Sequence, residues 1–418
     1  MNRAAALAPS PTRGRLRAAG SLRLPAHRAS SATLAGAYPF LAGSPCTTGA
    51  LVGVDAMTGG PFCFDPWALY AAAGELTNPN AVLAGVIGQG KSALAKSLAV
   101  RAIASGRRVY VPGDPKGEWS PVAEAVGGGV VRLGPGLPTR LNPLDAHGAT
   151  RDMAHGPRLR LLAALAELTL RRELRPGERE GLEAAVASVE TRPHPTLSDA
   201  VEALAPGTAD DGRDLYFALR RLVRGDLAGM FDGPSTQVLD DAAPMTVLDL
   251  SGLGSDDDAL AVATACASSW LEHAIASGTA KRWVIYDEAW RLMRSVPLVR
   301  RMQAQWKLSR AYGIANLLVL HRLSDLDAVG RAGSEARALA EGLLADCSTR
   351  IVYRQESDQL EATRAALGLS SAERDVLTAL PRGTGLWKMP RRTHVVHHHL
   401  TAVELALFDT DAAMRDTP

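Results

Sequence analysis

A short stretch of the chain, GVIGQGKS, combines residue types that can bind phosphate. Its glycines Gly85, Gly88 and Gly90 allow the backbone to wrap so that successive N–H groups point inward at phosphate oxygens. Lys91 can reach the β and γ phosphates of a nucleotide, and the Ser92 hydroxyl can bind Mg²⁺. The spacing fits G-x-x-x-x-G-K-[ST] and predicts a phosphate-binding loop.

The segments on either side of this loop are the ones that the chemistry requires. An apolar run of strand length precedes it, and KSALAKSLAVRAIASG follows with apolar residues at helical spacing. The positive N-terminal end of such a helix favours a bound phosphate. The alternative is a flexible turn that ends in Lys-Ser by chance, and the flanking strand and helix argue against it. The residues expected to bind the nucleotide are Gly85, Gly88, Gln89, Gly90, Lys91, Ser92 and Ala93.

An acidic pair follows a second apolar run, RWVIYDEAW. The run would deliver Asp287 to the end of a strand, where its carboxylate can hold Mg²⁺ together with Ser92, and Glu288 beside it can polarise an attacking water. Such a pair can also simply cap a strand end, but its occurrence with a phosphate loop favours the chemical interpretation. A glutamate in this place is typical of ATP hydrolases, whereas GTPases rely on a glutamine. The chain has no N-K-x-D guanine signature, so we expect ATP and Mg²⁺ as the bound groups.

Composition narrows the class of protein. The chain has 418 residues, 46% hydrophobic and 22% charged, with a formal net charge of +2. These values are typical of a globular chain and exclude a wholly disordered one, and the near-neutral balance gives no global signal for nucleic acid. Four scattered cysteines indicate free thiols in a reducing cytosol. Residues 1–54 contain six arginines and no acidic residue, which favours a disordered basic arm; no transmembrane helix is expected.

The order of elements predicts a parallel α/β fold with a helical insertion. Strand, helix and strand alternate around the phosphate loop, and strands resume after residue 244. Between them, residues 151–232 contain amphipathic helical segments without a convincing strand. The predicted domains are a basic arm at 1–54, a first part of the core at 55–150, a helical insertion at 151–235 and a second part of the core at 236–418.

Two further features leave alternatives open. Asp114 and Glu118 stand where a second strand would approach the nucleotide, and they can equally cap the next helix. The run HVVHHH invites a metal site, but in a strand His397 and His399 face one side and His398 the other, so these ligands do not converge.

Taken together, several segments resemble the ATPase domain of the conjugative transfer and type IV secretion ATPases of the VirB/TraC type, in the HerA/FtsK superfamily. The resemblance covers roughly residues 60–400. Its segments, in the order of that family, are NPNAVLAGVIGQGKS, VPGDPKGEW, RLNPLD, GDLAGMFDGP with TVLDLSGL, and YDEAWRLM.

This resemblance implies a RecA-like P-loop NTPase core with a mostly parallel central sheet. It also implies a ring, usually a hexamer, with ATP at the subunit interface and an arginine from the neighbouring subunit. By the same resemblance, Lys91 binds the phosphates, Asp287 binds the magnesium ion, and Glu288 acts as the general base. The position that usually bears a glutamine sensing the γ phosphate is His321 here, which can donate a hydrogen bond to the phosphate or can simply cap the strand. Arg310 and Arg350 are the candidates for the inter-subunit arginine, and each is equally compatible with a surface salt bridge.

The function that this resemblance implies is an ATP-hydrolysing motor that moves DNA or protein during conjugation or secretion. The alternatives are a HerA/FtsK-like DNA translocase and a nucleotide-dependent assembly scaffold with little turnover. The expected partners are further copies of the chain, DNA and secretion or conjugation components. The expected location is the cytoplasm, with a peripheral position at the inner face of the bacterial membrane as the alternative. Fewer than 60 residues precede the core, whereas full-size members have an extensive N-terminal domain, so docking to a membrane channel is not implied.

Overall fold

The structure is a computed structural model that describes residues 46–72, 75–145, 151–205, 212–237, 240, 242–276, 280–321 and 334–409. Residues 1–45 of the predicted basic arm therefore lie outside the described residues. The strands are β1 (Ala50–Asp55), β2 (Pro61–Phe64), β3 (Ala81–Ala84), β4 (Arg108–Asp114), β5 (Gly129–Arg132), β6 (Met245–Asp249), β7 (Arg282–Tyr286), β8 (Ile314–Leu320), β9 (Thr349–Tyr353), β10 (Thr384–Lys388) and β11 (Thr393–His398). The helices are α1 (Pro66–Ala71), α2 (Lys91–Ala104), α3 (Ser120–Ala125), α4 (Arg151–Leu170), α5 (Pro176–Val189), α6 (Leu197–Ala203), α7 (Arg213–Arg224), α8 (Asp257–Ala276), α9 (Ala289–Met293), α10 (Val296–Leu308), α11 (Glu335–Ala345), α12 (Leu360–Leu367), α13 (Ser371–Val376) and α14 (Ala402–Leu407).

The chain divides into two compact units. Among the described residues, the first unit contains 46–105, 319–321 and 344–408, and the second contains 106–318, 334–343 and 409. The phosphate loop belongs to the first unit, and the acidic pair belongs to the second.

The first unit contains strands in the order β2-β1-β11-β10-β9-β3. Strand β3 runs parallel to β9, with Leu83 opposite Ile351, and the other pairs are antiparallel. All four residues of β3 are buried, as expected for a strand of a parallel pair that is covered on both faces. Strand β1 begins at Ala50 and pairs with β2 and β11, so regular structure starts inside the stretch predicted as a disordered arm.

Helix α2 follows the phosphate loop and is held at its C-terminal end by the segment after β11. The Arg101 side chain pairs with Glu404 of α14, and Ser97 donates to the same carboxylate at 2.9 Å. Thr401 and Glu404 form the capping box that starts α14. This capping box and the one between Ser370 and Glu373 were both predicted from the sequence and are confirmed.

The second unit contains strands in the order β8-β7-β4-β6-β5, all parallel. The carboxyl ends of parallel strands meet at one edge of a sheet, so Asp114 of β4 stands opposite Asp249 of β6. Every residue of β7 is buried, and Asp287 follows its last residue. The edge of β7, β4 and β6 therefore carries three buried aspartates from three neighbouring strands.

Four helices, α4 to α7, lie between β5 and β6 in the sequence, and the described part of residues 151–235 contains no strand. Leucines from all four of these helices are fully buried, among them Leu161, Leu182, Leu197 and Leu219. The Glu178 carboxylate is also buried and accepts two hydrogen bonds of 2.7 Å from Arg172, and these bonds hold the pKa of Glu178 below its ordinary value despite burial. The described part of the predicted helical insertion therefore consists of helices.

Candidate nucleotide-binding site

The phosphate loop has the backbone that its glycines predict. Gly88 and Gly90 have φ values of +79° and +98°, in the left-handed region that side chains disfavour. Gly85 is needed for a different reason, because a Cβ atom there would lie 2.6 Å from the Cβ of Tyr353. The close approach of β3 to β9 thus excludes a side chain at the first glycine of the loop.

Neighbouring segments of the first unit fix the loop through backbone hydrogen bonds. The N–H of Gly85 donates to the His321 carbonyl oxygen at 3.3 Å, and the N–H of Val86 donates to the Arg354 carbonyl oxygen at 3.1 Å. The Gln89 carbonyl oxygen accepts from the N–H of Gly383 at 3.0 Å. His321, predicted as the γ-phosphate sensor, therefore lies at the start of the loop, with its side chain partly exposed.

Lys91 is the first residue of α2 and is only 4% exposed. Its ammonium donates to the Val86 carbonyl oxygen at 2.9 Å, so the positive charge lies inside the loop rather than in solvent. Ser92 and Ala93 follow in the first turn of this 14-residue helix and are partly exposed. An ammonium, a serine hydroxyl and the N-terminus of a helix form a donor set that fits a phosphate chain with its magnesium. The predicted loop residues are therefore brought together within the first unit.

Asp287 is 8% exposed, and both of its oxygens have donors. The Trp119 indole N–H donates to Oδ2 at 2.9 Å, and the Glu288 backbone N–H donates to Oδ1 at 3.0 Å. Burial is the main cause that raises the pKa of Asp287 above its ordinary value. A buried carboxylate that costs free energy to ionise is a group that a divalent cation would stabilise, so Asp287 fits the predicted magnesium ligand.

Glu288 has an unusual backbone, with φ of +52° and ψ of +32°. A residue with a side chain in this left-handed region costs on the order of 1–3 kcal/mol. Its carboxylate is buried: Oε1 pairs with the Lys116 ammonium, and Oε2 accepts from the Trp290 indole N–H at 2.7 Å. The strained backbone turns the chain directly from β7 into α9 and sets the direction of this side chain.

The turn after β4, DPKGEW at residues 114–119, is organised by Asp114. Its Oδ2 accepts from the Trp119 backbone N–H at 2.7 Å, and its Oδ1 accepts from the Lys116 and Glu118 N–H groups at 3.3 and 3.2 Å. Burial, opposed by these hydrogen bonds and assisted by the charges of Asp249 and Asp287, raises the pKa of Asp114 to about 6. Asp114 thus organises the turn before α3 and does not cap this helix, because the N-cap residue of α3 is Trp119 and it has no side-chain cap hydrogen bond.

Lys116 and Trp119 are site residues that the sequence analysis did not assign. Both lie in a quoted segment of the family resemblance, and Lys116 is one of only six lysines in the chain. The resemblance and the rarity of lysine draw attention to this segment, but neither of them predicts that its side chains contact Asp287 and Glu288.

The two candidate arginines differ in their surroundings. Arg350, on β9, donates through Nη1 to the Leu367 carbonyl oxygen at 2.9 Å, so its guanidinium stabilises the C-terminal end of α12. Arg310 lies in the turn after α10 and is exposed. An arginine that reaches a neighbouring subunit must be exposed in the single chain, so Arg310 is the better candidate.

Within the ranges that the structure describes, no helix is both long and apolar enough to cross a bilayer. At the end of β11, His398 is buried, whereas His397 and His399, the residue directly after the strand, are exposed, so the predicted alternation of these side chains is confirmed.

Comparison with known proteins identifies solved structures of the same fold. No protein-family model matches the chain, and no curated protein matches it. The structure of VirB4 of Thermoanaerobacter pseudethanolicus matches with a TM-score of 0.74 and 23% identity, over 87% of this chain and 99% of that one. The bacterial conjugative coupling protein TrwBΔN70, in an unbound form, matches with a TM-score of 0.58 and 15% identity, over 85% and 90% of the two chains. The plasmid coupling protein TrwB in complex with ADP and Mg²⁺ matches with a TM-score of 0.57 and 15% identity over the same shares.

These similarities show the fold. The predicted α/β class with a RecA-like P-loop NTPase fold is confirmed.

Proposed function

We propose that the chain is an ATP-hydrolysing motor of the conjugative DNA transfer and type IV secretion type. In this proposal, hydrolysis of Mg-ATP at subunit interfaces drives the movement of a DNA or protein substrate. The observation that carries the proposal is the buried Lys91 ammonium, held inside a glycine loop at the start of α2. The fold shared with VirB4 and with TrwB, which has been solved with ADP and Mg²⁺, supports it.

In the proposed mechanism, a phosphate oxygen replaces the Val86 carbonyl oxygen as the partner of Lys91. Ser92 and Asp287 would hold Mg²⁺, which would supply positive charge at the β and γ phosphate oxygens. The N–H groups at the start of α2 and in the loop orient the phosphate chain, because their positive ends point at it.

Glu288 takes a proton from the attacking water. The water oxygen forms a bond to the γ phosphorus while the bond from that phosphorus to the β–γ bridging oxygen breaks, which yields ADP and inorganic phosphate. His321, at the start of the loop, senses the γ phosphate. Arg310 of a neighbouring copy stabilises the developing negative charge, and the assembly is a ring of six copies.

Parallel measurements of nucleotide binding and turnover test the proposal. Lys91→Ala should lose ATP binding and turnover, and Glu288→Gln should bind Mg-ATP but lose turnover. Lys307→Ala and Glu183→Gln, which replace exposed residues of α10 and α5, are the matched controls and should behave as the unmodified chain. ATP turnover in Lys91→Ala equal to that of the unmodified chain would contradict the proposal.

A nucleotide-dependent scaffold is the second candidate. One observation favours it: both carboxylate oxygens of Glu288 are engaged, by Lys116 and by Trp290. A scaffold would bind ATP tightly and assemble, but Glu288→Gln would then change little. A DNA translocase shares the motor chemistry and would differ by stimulation of turnover with double-stranded DNA alone.

A further inference from the structure

The turn at residues 114–119 reaches both members of the acidic pair. Its Lys116 ammonium pairs with Glu288, and its Trp119 indole N–H donates to Asp287 at 2.9 Å. A single turn of six residues therefore contacts the residue proposed to hold Mg²⁺ and the residue proposed to activate water.

The backbone of this turn is built to hold those two side chains. Asp114 is 1% exposed and accepts three backbone N–H groups of the turn. Gly117 has φ of +71°, a left-handed conformation that glycine adopts without strain. Ser120, the first residue after the turn, donates to Asp249 at 2.8 Å. The turn is therefore fixed to the ends of β4 and β6.

Trp119 is fully buried, and its indole has one hydrogen-bond donor. The indole N–H donates a hydrogen bond to Oδ2 of Asp287, and the Glu288 backbone N–H donates one to Oδ1. Two donors on two oxygens fix the rotation of the carboxylate. The lone pairs that remain therefore point in directions set by the protein, as a metal ligand requires.

Lys116 and Glu288 differ in exposure: the lysine side chain is 52% exposed and the glutamate side chain is 7% exposed. The ammonium thus reaches from solvent to a buried carboxylate whose other oxygen accepts from Trp290. Carboxylates facing this ion pair are Asp287 and Glu118, both of which favour the charged ammonium. One donor on each oxygen of Glu288 restricts it to one direction.

From these contacts we propose that Lys116 and Trp119 are positioning residues for the ATPase reaction: Trp119 orients Asp287 for Mg²⁺, and Lys116 aims Glu288 at the attacking water. This inference rests on the proposed function. It extends that function by stating that residues in the turn after β4 orient the acidic pair, which follows β7. Neither residue touches the reacting atoms in this proposal.

Two variants test the assignment. Trp119→Phe keeps the aromatic ring and removes the N–H donor, so Mg²⁺-dependent binding of a fluorescent ATP analogue should weaken by about 10-fold, with binding in EDTA unchanged. Lys116→Met keeps the length of the side chain and removes the charge, so kcat should fall by about 10-fold with KM unchanged. Lys116→Arg should restore part of kcat, because it returns a cation.

Two matched controls lie in the first unit. Lys388→Met breaks a similar pair between a partly exposed lysine and Glu373, whose side chain is 3% exposed. Trp387→Phe makes the same substitution at another fully buried tryptophan, whose ring packs against Phe62. Both controls should keep kcat and the Mg²⁺ dependence, even where they lower the melting temperature.

The outcomes separate this inference from the proposed function. If Lys91→Ala and Glu288→Gln abolish turnover while Lys116→Met and Trp119→Phe match the unmodified chain in kcat and Mg²⁺ dependence, the inference is wrong and the function stands. If Lys116→Met and Trp119→Phe also lose nucleotide binding in EDTA, or if their loss of activity coincides with their thermal unfolding, the two residues have only a structural role. The inference is then again wrong. If Glu288→Gln hydrolyses ATP normally, the proposed function fails first.

Discussion

Arg101 and Glu404, which are 303 residues apart in the sequence, form an ion pair through two parallel hydrogen bonds of 2.8 Å. The same guanidinium donates to the His399 carbonyl oxygen at 2.6 Å and to the Leu51 carbonyl oxygen. Arg101 is in the last turn of α2, the helix that begins with Lys91. The far end of the phosphate-binding helix is therefore anchored to β1 and to the segment after β11.

The first prediction concerns the charge of Glu404. Burial alone would raise its pKa, but hydrogen bonds from Arg101, Thr401 and Ser97 lower it to about 2. Since the folded pKa is below the ordinary value of 4.5, this carboxylate stabilises the fold above about pH 4.5, and the stabilisation is lost as the pH falls towards 2. Glu404→Gln should lower the free energy of unfolding by about 2 kcal/mol at pH 7, measured by urea denaturation, and by progressively less at pH 3. Glu361→Gln, which replaces a carboxylate in exposed ion pairs, should have little effect; an equal loss there would contradict the argument.

The second prediction concerns His398. Burial, and then the nearby charge of Arg101, lower its pKa to about 4 from 6.5. A histidine with a lowered pKa must be neutral in the folded state, so stability is fully present above pH 6.5 and declines as the pH falls to 4. Replacing it by leucine should remove up to about 3 kcal/mol of that decline, seen as a flatter dependence of unfolding free energy on pH. His397→Leu, on the exposed face of the same strand, is the control and should leave the slope unchanged.

The third prediction tests the close approach of Gly85 to Tyr353. A methyl group at residue 85 would force the backbones apart, because 2.6 Å between two Cβ atoms is far below contact distance. Gly85→Ala should weaken nucleotide binding at least 10-fold and lower the melting temperature. Gly181→Ala, in α5 with open space at its Cβ, should be neutral or stabilising. Binding that is unaffected in Gly85→Ala would show that the loop adjusts freely.

The fourth prediction isolates the backbone strain at Glu288. Since φ is +52° there, glycine should fit better than alanine, and Glu288→Gly should be more stable than Glu288→Ala by about 1 kcal/mol. At Glu183, in the exposed face of α5, the same two substitutions should give the opposite sign, with alanine favoured by about 1 kcal/mol. Equilibrium unfolding of the four variants decides this, and the same sign at both positions would refute the strain.

The fifth prediction concerns the interface between copies. If Arg310 acts on the nucleotide of a neighbouring copy, Arg310→Ala and Lys91→Ala are each inactive alone, but a mixture of the two should regain turnover, because some interfaces combine an intact loop with an intact arginine. Arg350→Ala should instead lower stability, since its guanidinium holds the Leu367 carbonyl oxygen. Arg224→Ala, in the insertion, serves as the control. Turnover that is independent of protein concentration, with no recovery on mixing, would exclude this interface.

Local signals in the sequence were sufficient for the phosphate loop and the strands around it. The loop lies between an apolar run of strand length and a segment whose apolar residues recur at helical spacing. Both flanking segments therefore indicate the strand, loop and helix of a phosphate-binding loop. The short strand at residues 129–132 begins with the third of three consecutive glycines and contains only two apolar residues, and the strand that starts at Ala50 lies in a stretch whose first charged residue is Asp55. Strand β5 pairs with the distant strand β6, and β1 pairs with the distant strand β11 as well as with the neighbouring β2. No local pattern records the pairings with β6 and β11.

The site shows the same division. Asp287 and Glu288 were predicted from one apolar run. Lys116 and Trp119 lie about 170 residues away in the sequence and were noted only as part of a segment. Their contacts depend on two strands meeting in the sheet. Arg350 could not be distinguished from Arg310 by residue type, and its contact with the end of α12 makes the difference.

The bonds that brace the phosphate loop join residues 85–89 to residues 321, 354 and 383, and the helix that follows is tied to residue 404. On a translating ribosome, the loop emerges long before any of these supports. A nascent chain therefore contains a complete phosphate-binding sequence before it can bind a nucleotide. The site for ATP forms only when the C-terminal part of the polypeptide has been synthesised and has packed into the first unit.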